Sequence, residues 1–275
     1  MTTARLALCL EYDGRPYAGW QSQPAVPTVQ TTLEQAIAQF VASDERVEVV
    51  AAGRTDTGVH ALGQVVHLDT AVQRPAHAWV RGLNALLPPS IAVRWAQPVD
   101  DAFHARFAAM RRTYVYRIHN HAVRSPLLDG RAAWCHRPLD HEAMARAARV
   151  LLGEHDFSSF RSSQCQAKSP IKQVHRLDIR RDGASIELLI TANAFLHHMV
   201  RNIVGCLVYV GLGRENEAWL AEVLAARDRR VAAPTYAACG LYFARVDYPL
   251  HFKLPCEPLP APWQTEPTGG SEDCT

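Results

Sequence analysis

The sequence predicts a mixed α/β protein of two lobes that share one element order, each with a mainly antiparallel sheet. Three observations carry this expectation. Short segments rich in valine, isoleucine and leucine read as strands, and longer segments between them repeat apolar residues at helical spacing. The order strand, helix, strand, strand, helix, strand then runs twice along the 275 residues. With 48% apolar and 20% charged residues, a chain this long buries a core that needs neither disulfides nor a structural metal.

Residues 5–12 read as a strand and 28–42 as a helix, with Thr28 as N-cap and apolar positions at Val29, Leu33, Ile37, Phe40 and Val41. Residues 47–52 and 64–68 read as strands, 75–87 as a helix opened by Pro75 in its first turn, and 91–96 as a closing strand. That order is the split βαβ unit, βαββαβ, of ferredoxin-like and RRM-like domains. After Asp100 and Asp101 it recurs. Residues 113–119 form a strand and 141–152 a helix capped by Asp140, followed by strands 174–180 and 184–190 joined at Arg181-Asp182-Gly183. A largely buried helix over 195–211, an extra helix over 217–226 and a last strand over 240–247 complete the second copy. The expected lobes are therefore 1–101 and 102–248. Residues 249–275, with six prolines between 249 and 267 and then Gly269-Gly270, are expected to be a disordered tail.

Several classes are disfavoured at once. Seven scattered cysteines without a C-x-x-C pair argue against a disulfide framework and a zinc ribbon. The longest uncharged apolar run, 203–213, is too short to span a bilayer, and no secretory leader is evident, so a cytoplasmic location without a membrane partner is expected. The formal charge is only +2, yet 26 of the 29 basic residues are arginine. GC-rich codon usage would account for that excess by itself, so its location matters more. Between 102 and 139 lie Arg106, Arg111, Arg112, Arg117, Arg124, Arg131 and Arg137 with four histidines, against one acid, Asp129. Such a stripe is a candidate RNA footprint. Arg117 is the weakest member, because strand alternation sets it on the face opposite Tyr114 and Tyr116; Arg106, Arg111 and Arg112 are the favoured phosphate contacts.

The sequence holds no P-loop, dinucleotide fingerprint, G-x-S-x-G elbow, H-E-x-x-H or deaminase pattern, so no cofactor and no metal are expected. His197 and His198, adjacent on a predicted helix, should point to different sides. Cys165 with its neighbouring serines reads as a loop. What remains is Gly53-Arg54-Thr55-Asp56-Thr57-Gly58-Val59-His60 between two predicted strands. Taken alone, it reads more readily as a strand connection in which Asp56 bonds its own backbone. The functional alternative is a carboxylate beside Arg54, on glycines that admit a substrate to the backbone. Held ionised by Arg54, it would suit a nucleophile better than a proton donor.

This octapeptide closely resembles the G-R-T-D-[AT]-G-V-H signature of the tRNA pseudouridine synthase A family. The match extends in order through Glu11-Tyr12-Asp13-Gly14, Gly19-Trp20-Gln21, 63–67, 103–107, Arg112-Thr113-Tyr114-Val115-Tyr116, 193–202 and Gly240-Leu241-Tyr242, covering residues 5–248. The resemblance implies the pseudouridine synthase fold with an active-site cleft between the lobes. It also implies an isomerase that converts uridine to pseudouridine at positions 38, 39 and 40 of the tRNA anticodon arm, working as a homodimer without cofactor. By the same resemblance Asp56 is the catalytic nucleophile, Tyr114 faces or stacks on the target uracil, and Arg201 pairs with the carboxylate. Arg54 helps displace the target base and Leu241 walls the pocket. The residues alone leave Tyr114 or Tyr116 as core, Arg201 as a snorkelling surface side chain and Leu241 as an ordinary strand leucine. Thr57 stands where many members carry alanine.

The isomerisation detaches uracil at N1, rotates it and rejoins it through C5 with loss of a proton, and no electrons are exchanged overall, so no redox cofactor is needed. Two rivals from other classes are a catalytically silent tRNA-binding chaperone of the same fold and a metal-dependent RNA hydrolase using His60 and His67. The presence of both Asp56 and Tyr114 disfavours the first, and the lack of an acidic cluster disfavours the second.

Overall fold

The computed structural model describes residues 3–255 and 259. They fall into two compact units, one running to Met110 and resuming at Tyr242, the other spanning Arg111–Leu241.

The first unit contains β1 (Ala4–Tyr12), α1 (Val29–Val41), β2 (Val50–Ala51), β3 (His60–Thr70), α2 (Ala76–Leu86) and β4 (Ile91–Val99). β1 pairs antiparallel with both β3 and β4, and β2 pairs antiparallel with β3, giving the order β4-β1-β3-β2. This is the strand order of the ferredoxin-like βαββαβ unit. α1 starts where the Thr28 hydroxyl accepts the Thr31 N–H, and it buries Val29, Leu33 and Ile37, each contributing about 1.5–3 kcal/mol by leaving water. Pro75 sits one residue before α2, its carbonyl accepting the N–H groups of Ala78 and Trp79. Trp79, on α2, packs edge-on against Phe40 of α1.

The strand expected over 47–52 shrinks to Val50–Ala51. The buried carboxylate of Glu34 is the reason. It accepts the Val49 N–H at 3.1 Å and the Arg46 side chain at 2.7 Å, so these groups bond a helix side chain and not a neighbouring strand.

The second unit contains β5 (Arg111–Asn120), β6 (Ala133–Cys135), α3 (His141–Ala148), β7 (Gly153–Asp156), β8 (Ile171–Asp182), β9 (Ser185–Ala192), α4 (Met199–Gly211) and α5 (Trp219–Ala226). β9 lies antiparallel between β5 and β8, β7 extends beyond β8, and β6 joins β5 in parallel. β6 and β7, at three and four residues, are additions that the periodicity did not reveal. α3 is capped by Asp140 as expected but tightens into a 3-10 turn after Ala148. The core includes Phe157, Phe160, Leu189, Cys206 and Leu207.

The last strand, β10 (Leu241–Asp247), was expected to close the second lobe. From Tyr242 onward it is grouped with the first unit. It pairs in parallel with β3 there, with Tyr242 opposite His60, their rings stacked at 4.6 Å. The segment expected as a disordered tail opens with a 3-10 turn, Leu250–Phe252, because Phe252 packs edge-on against Phe103 at 5.1 Å. Residues 256–258 and 260–275 lie outside the described residues. Among the described residues, no helix is long and apolar enough to cross a membrane.

Candidate active site

In the first unit the loop 53–59 leaves β2 and enters β3, and its backbone is gripped from several directions. Gly58, at φ +76°, reverses the chain so that the Val59 N–H reaches the Asp56 carbonyl at 3.1 Å. The Gln64 side-chain amide donates to the Gly53 carbonyl at 2.6 Å, and the Trp20 N–H donates to the Thr55 carbonyl at 3.0 Å. The Thr55 hydroxyl lies 2.8 Å from the phenol of Tyr12 in a buried hydrogen bond. Gly19, at φ +91°, lies so close that a Cβ there would stand 2.7 Å from the Thr55 carbonyl oxygen, and a Cβ on Gly14 would overlap the carbonyl of Val59. Thr55 is thus buried, Asp56 half-buried and Arg54 exposed. The pairing of Arg54 with Asp56 that adjacency suggested does not form. Arg54 makes no ion pair among the described residues, since a solvated arginine gains little from a surface partner.

His60 and His67, the residues of the hydrolase rival, are both buried. His60 Nδ1 accepts the Gly14 N–H and His67 Nδ1 accepts the Ala105 N–H, each at 3.2 Å. Burial, aided by nearby Arg5, pushes the His67 imidazole down to about 4, which keeps that acceptor available at neutral pH. The His67 ring therefore acts as a fixed acceptor within the fold, while His60 Nδ1 also lies 3.3 Å from an Asp13 carboxylate oxygen.

In the second unit, β5 carries Tyr114 and Tyr116 on one face. Tyr116 is the core residue of the two. It is fully buried, with its hydroxyl donating to the Ala237 carbonyl at 2.6 Å. Tyr114 keeps some exposure, and Phe195 meets its ring edge-on at 5.0 Å. The helix expected over 195–211 begins only at Met199, because His198 takes a left-handed backbone conformation (φ +64°). Asn193 steadies the loop before it by accepting the Gln173 and Ala194 N–H groups. This corrects the expected splaying of His197 and His198. They precede the helix, and their rings lie side by side with centroids 3.9 Å apart. Cys165 does lie in a loop, its sulfur accepting the His197 N–H at 3.3 Å.

Arg201, on the first turn of α4, is half-buried and anchored. Its Nε donates to the Tyr236 carbonyl at 2.9 Å, and its own carbonyl accepts the Tyr236 N–H, so it is no snorkelling surface residue. Leu241 is buried at the start of β10. Arg111 is exposed, while Arg112 is held by the Asn193 carbonyl at 2.9 Å. Arg106, in the first unit, is exposed with its guanidinium over Phe107. Arg117 forms a cross-strand ion pair with Glu187 at 2.9 Å.

The first unit therefore brings Arg54 and Asp56 into one loop, and the second holds Tyr114, Arg201, Leu241, Arg111 and Arg112. Sequence reasoning gave no role to Tyr12, Gly14, Gly19 and Trp20. The only available signal was their presence in the matched stretches near the N-terminus.

A family model described as tRNA pseudouridine synthase matches residues 8–108 and 147–249, more than half of the chain. A protein of Bordetella petrii named tRNA pseudouridine synthase A is 60% identical over 250 residues, covering 91% of this chain and 93% of its own. One of the same name from Burkholderia mallei is 57% identical over 262 residues, covering 95% and 96%. A solved Cbf5-Nop10-Gar1 complex aligns with a TM-score of 0.34 at 11% identity, covering 86% of this chain and 57% of that one, a likeness too weak to bear on fold or function.

Proposed function

Because the chain belongs to the tRNA pseudouridine synthase family, we propose that it isomerises uridine to pseudouridine at positions 38, 39 and 40 in the anticodon arm of tRNA, with Asp56 as the nucleophile. The observation that carries this reading is the Asp56 loop. A half-buried carboxylate follows a buried threonine, on a loop whose backbone is held by Trp20 and Gln64 and whose Thr55 hydroxyl is held by Tyr12. A merely connecting loop needs no such support.

The chemistry asks for a carboxylate that attacks or steadies the reacting sugar or base, a face for the detached uracil and a route for the C5 proton. Asp56 supplies the first. Tyr114, buried and braced by Phe195, supplies a stacking face, and Arg201, anchored through its Nε, is the arginine that the family resemblance assigns to the carboxylate. The target base must leave its stack at a cost of a few kcal/mol, of which stacking on an aromatic ring returns roughly 1–3 kcal/mol. Arg54 assists that displacement, Leu241 lines the pocket, and Arg106, Arg111 and Arg112 hold the phosphates. The enzyme works in the cytoplasm as a homodimer. Exposed Val123, Leu127, Leu128 and Trp134, all between β5 and the end of β6, supply an apolar surface for a second copy.

Tritium release from tRNA labelled at uracil C5 tests the reading. Asp56→Asn removes the charge at constant shape. It should lower the rate by at least about a thousandfold while keeping tRNA affinity, and turnover within about tenfold of the parent would refute the nucleophile. Binding without any release by the parent protein would favour the silent chaperone.

A further inference from the structure

We infer that Tyr12 is a positioning residue for Asp56, acting through a buried hydroxyl-to-hydroxyl contact with Thr55. The inference rests on the reading of Asp56 as nucleophile and adds how its place is fixed.

Tyr12 is the last residue of β1 and is 3% exposed. The β1–β3 register slips between Leu10 and Tyr12, an irregularity of the kind that re-aims a side chain at a strand end. Its ring lies among apolar neighbours and 6.2 Å from Trp20, an environment that phenylalanine would fill equally well. The hydroxyl is therefore what needs explaining. It reaches Thr55 Oγ1 at 2.8 Å. Gln64, fully buried, donates to the Gly53 carbonyl, and its Oε1 has no partner among the described residues.

Three polar side chains thus sit inside an apolar core and converge on residues 53–55. Replacing paired buried polar groups by apolar ones of the same shape costs little stability, whereas an orphaned acceptor carries a desolvation penalty. A polar network that includes an unsatisfied oxygen is thus a poor device for stability alone, and its geometric effect is on the residue next to Asp56. Burial holds the Tyr12 phenol above its ordinary value, the hydrogen bond to Thr55 only partly offsetting this, so at neutral pH it stays protonated and takes no part in proton transfer. What it supplies is position, and a misplacement of about 1 Å at a reacting group can cost about a hundredfold in rate.

The test is single-turnover tritium release together with tRNA affinity and thermal unfolding, for Tyr12→Phe, Thr55→Val, Thr55→Ser and the double variant Tyr12→Phe/Thr55→Val. Tyr12→Phe and Thr55→Val should each slow the step by about tenfold or more with affinity within about twofold, and the double variant should be no slower than the slower single one. Thr55→Ser, which restores the hydroxyl, should stay within about threefold of the parent. A Tyr12→Phe rate within about twofold of the parent, additive losses in the double variant, or losses that merely follow a reduced folded fraction would overturn the inference. If Tyr12→Phe does not fold, the Thr55 pair decides: equal rates for Val and Ser refute it. An active Asp56→Asn protein would refute the nucleophile itself, whereas an inactive one beside a fully active Tyr12→Phe protein would refute only the positioning role.

Discussion

The loop around Asp56 in the first unit and the Tyr114 region in the second hold functional side chains by different means. Around Asp56 the backbone itself is fixed. Carbonyls of Gly53 and Thr55 are bonded, and Gly14 and Gly19 bring neighbouring chain into contact with the loop. Around Tyr114 the backbone is an ordinary β ladder, and individual side chains are braced from their own sides, Phe195 against Tyr114, the Asn193 carbonyl against Arg112 and the Tyr236 carbonyl against Arg201. The contrast follows the chemistry proposed for each. A nucleophile must reach one atom, so its frame tolerates little displacement. Stacking faces and phosphate contacts act over broader distances and can adapt.

Glycine substitutions test that contrast most severely. Gly14→Ala forces a Cβ into the Val59 carbonyl, where backbone must move, and should cost about 3 kcal/mol or more. Gly183→Ala, in the β8–β9 hairpin, meets nothing within 4 Å and costs only its left-handed backbone (φ +54°), about 1–2 kcal/mol. Denaturant midpoints measure both, and equal losses would erase the distinction between a gripped loop and an open turn.

A smaller effect is expected at Tyr114. Tyr114→Ala should weaken capture of the target base by roughly 1–3 kcal/mol, while Tyr114→Phe keeps the ring and leaves tRNA affinity unchanged. Equal affinity losses for the two would point to the hydroxyl instead of the stacking face.

The smallest effect belongs to the arginines. Log affinity for tRNA should fall with log salt by about 0.7–0.9 per phosphate contact, so glutamine at Arg106, Arg111 or Arg112 should flatten the slope by about one unit. Arg117→Gln should leave it unchanged, because Arg117 is paired with Glu187 across the ladder. Unchanged slopes at all three favoured positions would return the arginine excess to codon usage and move the RNA footprint elsewhere.

Much of the molecule was legible locally. Alternation located β1, β5 and β9, helical spacing located α1, and single residues marked ends, as Thr28 and Asp140 do by accepting N–H groups three residues on. The loop carrying Asp56 was visible as a polar insert between strands. These features depend on residues a few positions apart, whose side chains are fixed by the local backbone period.

What the tertiary structure decided involves distant partners. Glu34 takes the N–H of Val49 and so shortens β2, and the left-handed backbone at His198 delays α4 until Met199. β10 joins β3 across most of the chain, and Tyr12 meets Thr55 over a separation of 43 residues. Periodicity reports which face of an element is apolar, but it carries no information on which distant group will satisfy a buried hydroxyl, carboxylate or strand edge. That choice is settled only when the chain packs, since the cost of leaving such a group unpaired is incurred only once water has been excluded.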